Sequence, residues 1–91
     1  MKKKRKRNQK RKLIFDTTGI KAFSIRLKTI RKITGYTQSQ LAYEAGISLS
    51  QIARIETARI NPTLSTVFTI VRVLELPLSE FFDFELPPLE E

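Results

Sequence analysis

The 91-residue chain has no cysteine, no histidine and no tryptophan, and only three glycines. Without cysteine there is no disulfide framework, no thiol nucleophile and no Cys/His zinc site. Without histidine there is no imidazole for general acid–base work. Gly19, Gly35 and Gly46 are too far apart to build a phosphate-cradling loop, and the carboxylates are few and scattered. The expectation is therefore a protein that is not an enzyme and has no cofactor and no metal. No run of 18 apolar residues is present, so no membrane span is expected. The basic start is followed by only Leu13, Ile14 and Phe15 as an apolar stretch, which is too short for a secretory signal.

What the chain does have is segregated charge. The formal net charge is +8. Lys2, Lys3, Lys4, Arg5, Lys6, Arg7, Lys10, Arg11 and Lys12 make a basic arm with no acid among them. Residues 13–74 are mildly basic, with Asp16, Glu44 and Glu56 as their only acids, and residues 75–91 carry six acids and no base. A segment that repels itself and has no apolar surface to bury does not fold alone. Three readings of the arm stand open: contact with a polyanion, a solubilising tail, or a nuclear import signal. The charge footprint favours a polyanion, foremost nucleic acid phosphate.

Behind the arm, apolar residues fall at helical spacing. Ile20, Phe23, Leu27 and Ile30 predict a first helix over about 20–34, punctuated by Gly19 and Gly35. Thr37 to Gln40 reads as a capping box that opens a second helix, which Gly46 closes at a position wanting positive φ. Ser48 to Gln51 reads as a second box opening a third helix, with Ile52 and Ile55 on its buried side, over about 48–57. Pro62 keeps Asn61 out of the helical region. Leu64, Val67, Ile70, Val71 and Leu74 give a fourth helix capped by Thr63; Leu78, Phe81 and Phe82 give a short fifth. The predicted fold is all-α, a compact five-helix bundle whose helices 2 and 3 form a helix-turn-helix. The expected organisation is a disordered basic arm at 1–15, a folded domain at 16–86 and an acidic tail at 87–91.

The informative unit runs from Gln38 to Thr57, where two short helices meet through a turn containing Gly46. Ala42 is small where the second helix of the pair crosses the first. If Ile47, Ile52 and Ile55 plug that helix into the core, Ser48, Leu49, Ser50, Gln51 and Arg54 point outward. A helix that starts with small polar residues can enter the DNA major groove and offer side chains to base edges.

Tyr36-Thr37-Gln38-Ser39-Gln40-Leu41-Ala42, Ala45-Gly46-Ile47-Ser48, Ile52-Ala53-Arg54-Ile55-Glu56 and Asn61-Pro62-Thr63-Leu64 together resemble the phage-repressor-type helix-turn-helix regulators, also called the xenobiotic-response-element family. The resemblance covers about residues 20–84 and is nearest to small repressors and restriction–modification controller proteins. It implies a sequence-specific double-stranded-DNA-binding transcriptional regulator, and with it a cytoplasmic, nucleoid-associated location. It also implies roles: Gln38, Ser48, Gln51, Arg59, Asn61 and Thr63 at DNA phosphates; Leu49, Ser50 and Arg54 at bases; and Arg31 with Glu56 as a structural pair joining helix 1 to the end of helix 3. Arg54 suits bidentate bonding to guanine, and Leu49 suits packing on a thymine methyl.

The chain departs from the family pattern at two places. Ala58 stands where the family has glycine, and a left-handed alanine costs about 1 kcal/mol, so helix 3 is expected to end in another way. Pro77 replaces the usual hydroxyl cap of the last helix and suits a first-turn position. Phe68, Leu76, Phe81, Phe82 and Phe84 exceed what one small core needs. They are read as a homodimer interface built from helices 4 and 5, matching a palindromic operator. The competing reading is an antitoxin or protein-interaction module with autoregulatory DNA binding, whose protein partner would engage the apolar, acidic C-terminal segment.

Overall fold

Asp16 starts the first helix: its carboxylate accepts a hydrogen bond from the Gly19 amide at 2.7 Å. In the computed structural model, which describes residues 14–88, α1 spans Thr17–Thr34, α2 Gln38–Ala45, α3 Leu49–Glu56, α4 Leu64–Leu74 and α5 Leu78–Phe81. The basic arm from Lys2 to Lys12 and the last three residues of the expected acidic tail lie outside the described residues. The helix order follows the expectation, but α1 begins three residues earlier. Gly19 is not a boundary; it sits inside the first turn and supplies the amide that Asp16 caps.

Each helix contributes its apolar stripe to one core. Phe23, Leu27 and Ile30 come from α1, Leu41, Ala42 and Ala45 from α2, and Ile52 and Ile55 from α3. Val67, Ile70, Val71 and Leu74 from α4 and Phe81 from α5 complete it. α2 packs on both α3 and α4, and α1 packs against α3, α4 and α5. Ser24, buried on α1, ties that helix to the end of α3 by donating to the Ile55 carbonyl at 2.5 Å.

Three helices end in the same way. The Tyr36 amide reaches back to the Arg31 carbonyl, that of Ile47 to Ala42, and that of Arg59 to Arg54, each a six-to-one Schellman bond. The motif needs a left-handed residue just before the donor. Gly35 (φ 87°) and Gly46 (φ 74°) supply it for α1 and α2. For α3 the residue is Ala58, at φ 60°. The expectation that α3 would avoid this ending is therefore wrong. The two backbone bonds it makes, with the Ala58 amide also reaching the Ile55 carbonyl at 3.1 Å, outweigh the Cβ penalty. Glu75 ends α4 in the same left-handed region at φ 59°. Pro77 is also not where it was expected: it occupies the N-cap of α5, with ψ 142°, instead of its first turn.

Phe81 requires a further correction. Expected on the dimer face, it is wholly buried, with its ring 5.6 Å from Phe23 and 5.1 Å from Phe82. Phe81 joins α5 to the core by packing against Phe23 of α1.

Candidate nucleic-acid interface

The α2–α3 pair is held from behind and open in front. Thr37 opens α2 with a complete capping box: its hydroxyl accepts from the Gln40 amide at 3.0 Å, and the Gln40 side chain accepts from the Thr37 amide at 2.8 Å. Ser48 opens α3 by accepting from the Gln51 amide at 3.0 Å. Here only the first half of the box is formed among the described residues. Ile52 and Ile55 are fully buried, so the 3.6-residue period turns Leu49, Ser50 and Arg54 to solvent. Leu49 is 49% exposed, a high value for a leucine in the first turn of a helix whose other face is core.

Sequence-predicted residues are exposed in two groups along the chain. Ser48, Leu49, Ser50 and Arg54 are exposed on α3, with Gln51 half-buried beside them. Arg59, Asn61 and Thr63 are exposed on the connection that follows. Thr63 caps α4, accepting from the Thr66 amide at 3.2 Å and donating to the Thr66 hydroxyl at 3.1 Å. Arg54 and Arg59 are exposed cations near the end of α3, and the nearest carboxylate in sequence, Glu56, is buried.

Glu56 is answered from two directions. Arg31 on α1 grips it in a two-pronged ion pair, Nε to Oε2 at 2.5 Å and a second nitrogen to Oε1 at 3.0 Å. The remaining guanidinium nitrogen donates to the Tyr36 carbonyl at 2.9 Å. Gln38 also donates to Glu56 Oε1, at 2.9 Å. This last bond went unseen in the sequence. It leaves one hydrogen of the Gln38 amide group for any other acceptor and fixes the first turn of α2 against the last turn of α3. The signal for it was there: a glutamine opening one helix and a glutamate closing the next, 18 residues apart.

Two other residues escaped the sequence reading. Arg26 on α1 donates to the Phe81 carbonyl at 2.8 Å and to the Glu80 carbonyl at 2.6 Å, so it caps the C-terminal end of α5. Tyr36 donates to Glu44 at 3.2 Å, and desolvation against the core, reinforced by the Glu44 and then the Glu75 carboxylate, pushes its hydroxyl above the usual phenol range. A cation at the border of a helix's buried stripe, as at Arg26, marks a reach around that border, but its target cannot be read from spacing.

The expected dimer residues do not share one surface. Phe68 and Leu76 line an open groove with Val71, Arg72 and Leu78. Phe82 and Phe84 line a different one, against the start of α1.

Comparison with known proteins agrees with this geometry. The helix-turn-helix family description (HTH_3) matches residues 27–81. The immunity repressor protein of Bacillus phage phi105 is 44% identical over 54 residues, which are 59% of this chain and 38% of that one. The antitoxin HipB of Escherichia coli (strain K12) is 40% identical over 53 residues, 58% of this chain and 60% of that one. The chain thus spans less than two thirds of the length of these curated relatives. The wild-type restriction–modification controller protein C.Esp1396I superposes with a TM-score of 0.68 at 31% identity, covering 70% of this chain and 84% of that one. That controller has also been solved as a tetramer on its natural 35-base-pair operator.

Proposed function

The chain belongs to the helix-turn-helix family, and from that premise we propose that it is a sequence-specific, double-stranded-DNA-binding transcriptional regulator. The observation that carries this reading is the outward side of α3: Ser48, Leu49, Ser50 and Arg54 stand exposed while Ile52 and Ile55 anchor the helix from behind. α3 enters the major groove. Arg54, Ser50 and Leu49 meet base edges. Gln38, Ser48, Gln51, Arg59, Asn61 and Thr63 meet phosphates and set the register of the protein on the duplex. Gln38 does so with its second amide hydrogen and with the free backbone amides of its helix terminus. The basic arm adds salt-sensitive affinity.

Two copies, paired through the groove that Phe68, Leu76 and Leu78 line, place two recognition helices on a palindromic site. The tetramer of the controller protein on its operator supports a multimeric reading. Selection of bound sequences from a random pool tests the proposal. A palindromic consensus is expected, and Arg54→Ala is expected to relax preference at one position per half-site by about 1–3 kcal/mol. A pool that yields no consensus overturns it.

The likeness to an antitoxin favours a second reading, in which DNA binding is autoregulatory and a protein partner takes the C-terminal segment. A stable one-to-one complex recovered through residues 75–91, lost when they are removed, is its test.

A further inference from the structure

The two oppositely charged ends of the chain leave the bundle at the same place. Phe15 and Pro87 line one groove, together with Lys21 and Ile25. Asp16 and the start of α1 share the neighbouring groove with Phe82, Phe84 and Leu86. From Phe82 to Leu86 apolar and acidic residues alternate. With Phe82, Phe84 and Leu86 turned to the groove, Asp83 and Glu85 are left exposed, next to exposed Glu80. Arg26 fixes this strip by holding the end of α5, and Phe82 stacks on Phe23 at 6.0 Å and on Phe84 at 5.9 Å. The carboxylates are thus displayed by a packed segment of the domain.

We infer that the basic arm docks on this strip when no nucleic acid is present, so that Glu80, Asp83 and Glu85 act as a tethered substitute for phosphate and hold the arm back from non-specific DNA. The inference rests on the proposed DNA-binding function only for its consequence, not for the contact itself. Charge complementarity argues for the occupant: nine cations in residues 2–12 against these acids, with Glu90 and Glu91 following in sequence. Reach argues for it too. An extended chain spans at most about 3.3–3.6 Å per residue, so Lys10, Arg11 and Lys12 lie within about 22 Å of Asp16. Tethering over so few residues gives an effective concentration of order millimolar, enough for weak multivalent ion pairs to form. Lys21 lines the groove next to this strip and Arg26 is held at the Glu80 and Phe81 carbonyls; two cations, neither in an ion pair with Glu80, Asp83 or Glu85 among the described residues, leave these acids largely unanswered.

The physical consequence is selective. Non-specific binding is almost wholly electrostatic, so it suffers most when the arm must first be released, whereas a site that also engages α3 retains its base contacts. The strip therefore raises the ratio of specific to non-specific affinity while contacting no DNA.

The full chain has no native cysteine, so Lys6→Cys carries a single spin label for a test without DNA. At low salt the label is expected to broaden the amide resonances of residues 80–86, and at about 0.5 M salt the broadening is expected to vanish, since the screening length has shrunk below ~5 Å. No broadening at low salt overturns the contact. So does broadening that appears in full between a labelled chain and a separate isotope-enriched one, because the partner would then be another copy.

With DNA, the combined change Glu80→Gln, Asp83→Asn and Glu85→Gln is expected to raise affinity for random-sequence duplex about tenfold at 50 mM salt. It should also steepen the slope of log affinity against log salt by about 3, as three more arm cations reach phosphate. In a chain lacking residues 2–12, the same change is expected to do far less. Equal gains in both backgrounds mean a general charge effect and overturn the inference. A chain that binds no DNA at all removes the proposed function instead, and the label still reports on the contact.

Discussion

Glu56 shows how much one residue can organise in a small domain. It is 4% exposed, and its carboxylate takes hydrogen bonds from Arg31 on α1 and Gln38 on α2 while itself closing α3. Burying this pair costs desolvation, so its net contribution to stability is small, but removing one partner strands the other charge. Glu56→Ala is therefore expected to cost about 3–5 kcal/mol in urea unfolding, a large share of the ~5–13 kcal/mol expected for a chain this size. Replacing both charges, as Arg31→Met with Glu56→Leu, is expected to recover most of that loss. If the double variant is no more stable than the single one, the pair contributes favourably on its own account. The value of the pair lies in register: it fixes the end of α3 relative to α1, while Gln38 ties the same carboxylate to the start of α2, under the proposed DNA face.

At the scale of the element, the helix endings were the least legible part of the sequence. The apolar periods of α1 to α4 place their buried faces, since Phe23, Leu27, Ile30, Ile52, Ile55, Val67, Ile70 and Leu74 are all in the core. The caps at Thr37, Ser48 and Thr63 were equally legible because a hydroxyl before an apolar period has few other uses. Asp16 was passed over because Gly19 looks like a breaker, when what matters is that its amide lies within reach of the Asp16 carboxylate. Arg26 and Phe81 could not be read from spacing at all, because their partners are tertiary, and Gln38 left only the faint trace of a glutamine opening α2 and a glutamate closing α3. Ala58 follows the same logic: the local penalty of a left-handed alanine was visible, but the pull of the Schellman bonds and of the α3–α4 connection was not. That penalty is measurable. A left-handed alanine costs about 1–2 kcal/mol, and glycine forfeits about 0.4–1 kcal/mol through its freer unfolded chain. The balance gives Ala58→Gly a gain of up to about 1.5 kcal/mol, seen as a rise of a few degrees in Tm, whereas Gly46→Ala is expected to lower it. A loss on Ala58→Gly means the alanine methyl packs well enough to offset its strain.

For the whole molecule, the open question is how a domain with one short reading helix discriminates among DNA sequences. Three exposed residues, Leu49, Ser50 and Arg54, face the bases in this reading, and a good bidentate contact is worth only about 1–3 kcal/mol. One such helix is too weak to select a site, and a second, rigidly spaced copy multiplies its discrimination. The proposed two-fold arrangement would set recognition helices about 34–36 Å apart, one turn of duplex. The groove between α4 and α5, with Phe68 42% and Leu78 46% exposed, is the apolar surface available for that pairing. A carboxylate placed there would lose its hydration in the dimer, a cost that the neighbouring Arg72 offsets only in part, and keep it in the monomer, so it acts against association. Phe68→Asp is expected to give a folded monomer by sedimentation. It should bind a single half-site as the parent chain does, and a palindromic site at least about 100-fold more weakly, because linkage of two binding modules contributes about 10²–10⁴ in affinity. Should Phe68→Asp stay dimeric, the pairing surface lies elsewhere, and Phe82 and Phe84 beside α1 become the place to look. Should it turn monomeric yet hold the palindrome as tightly as before, each copy reads its half-site unaided, and the discrimination must come from contacts beyond α3.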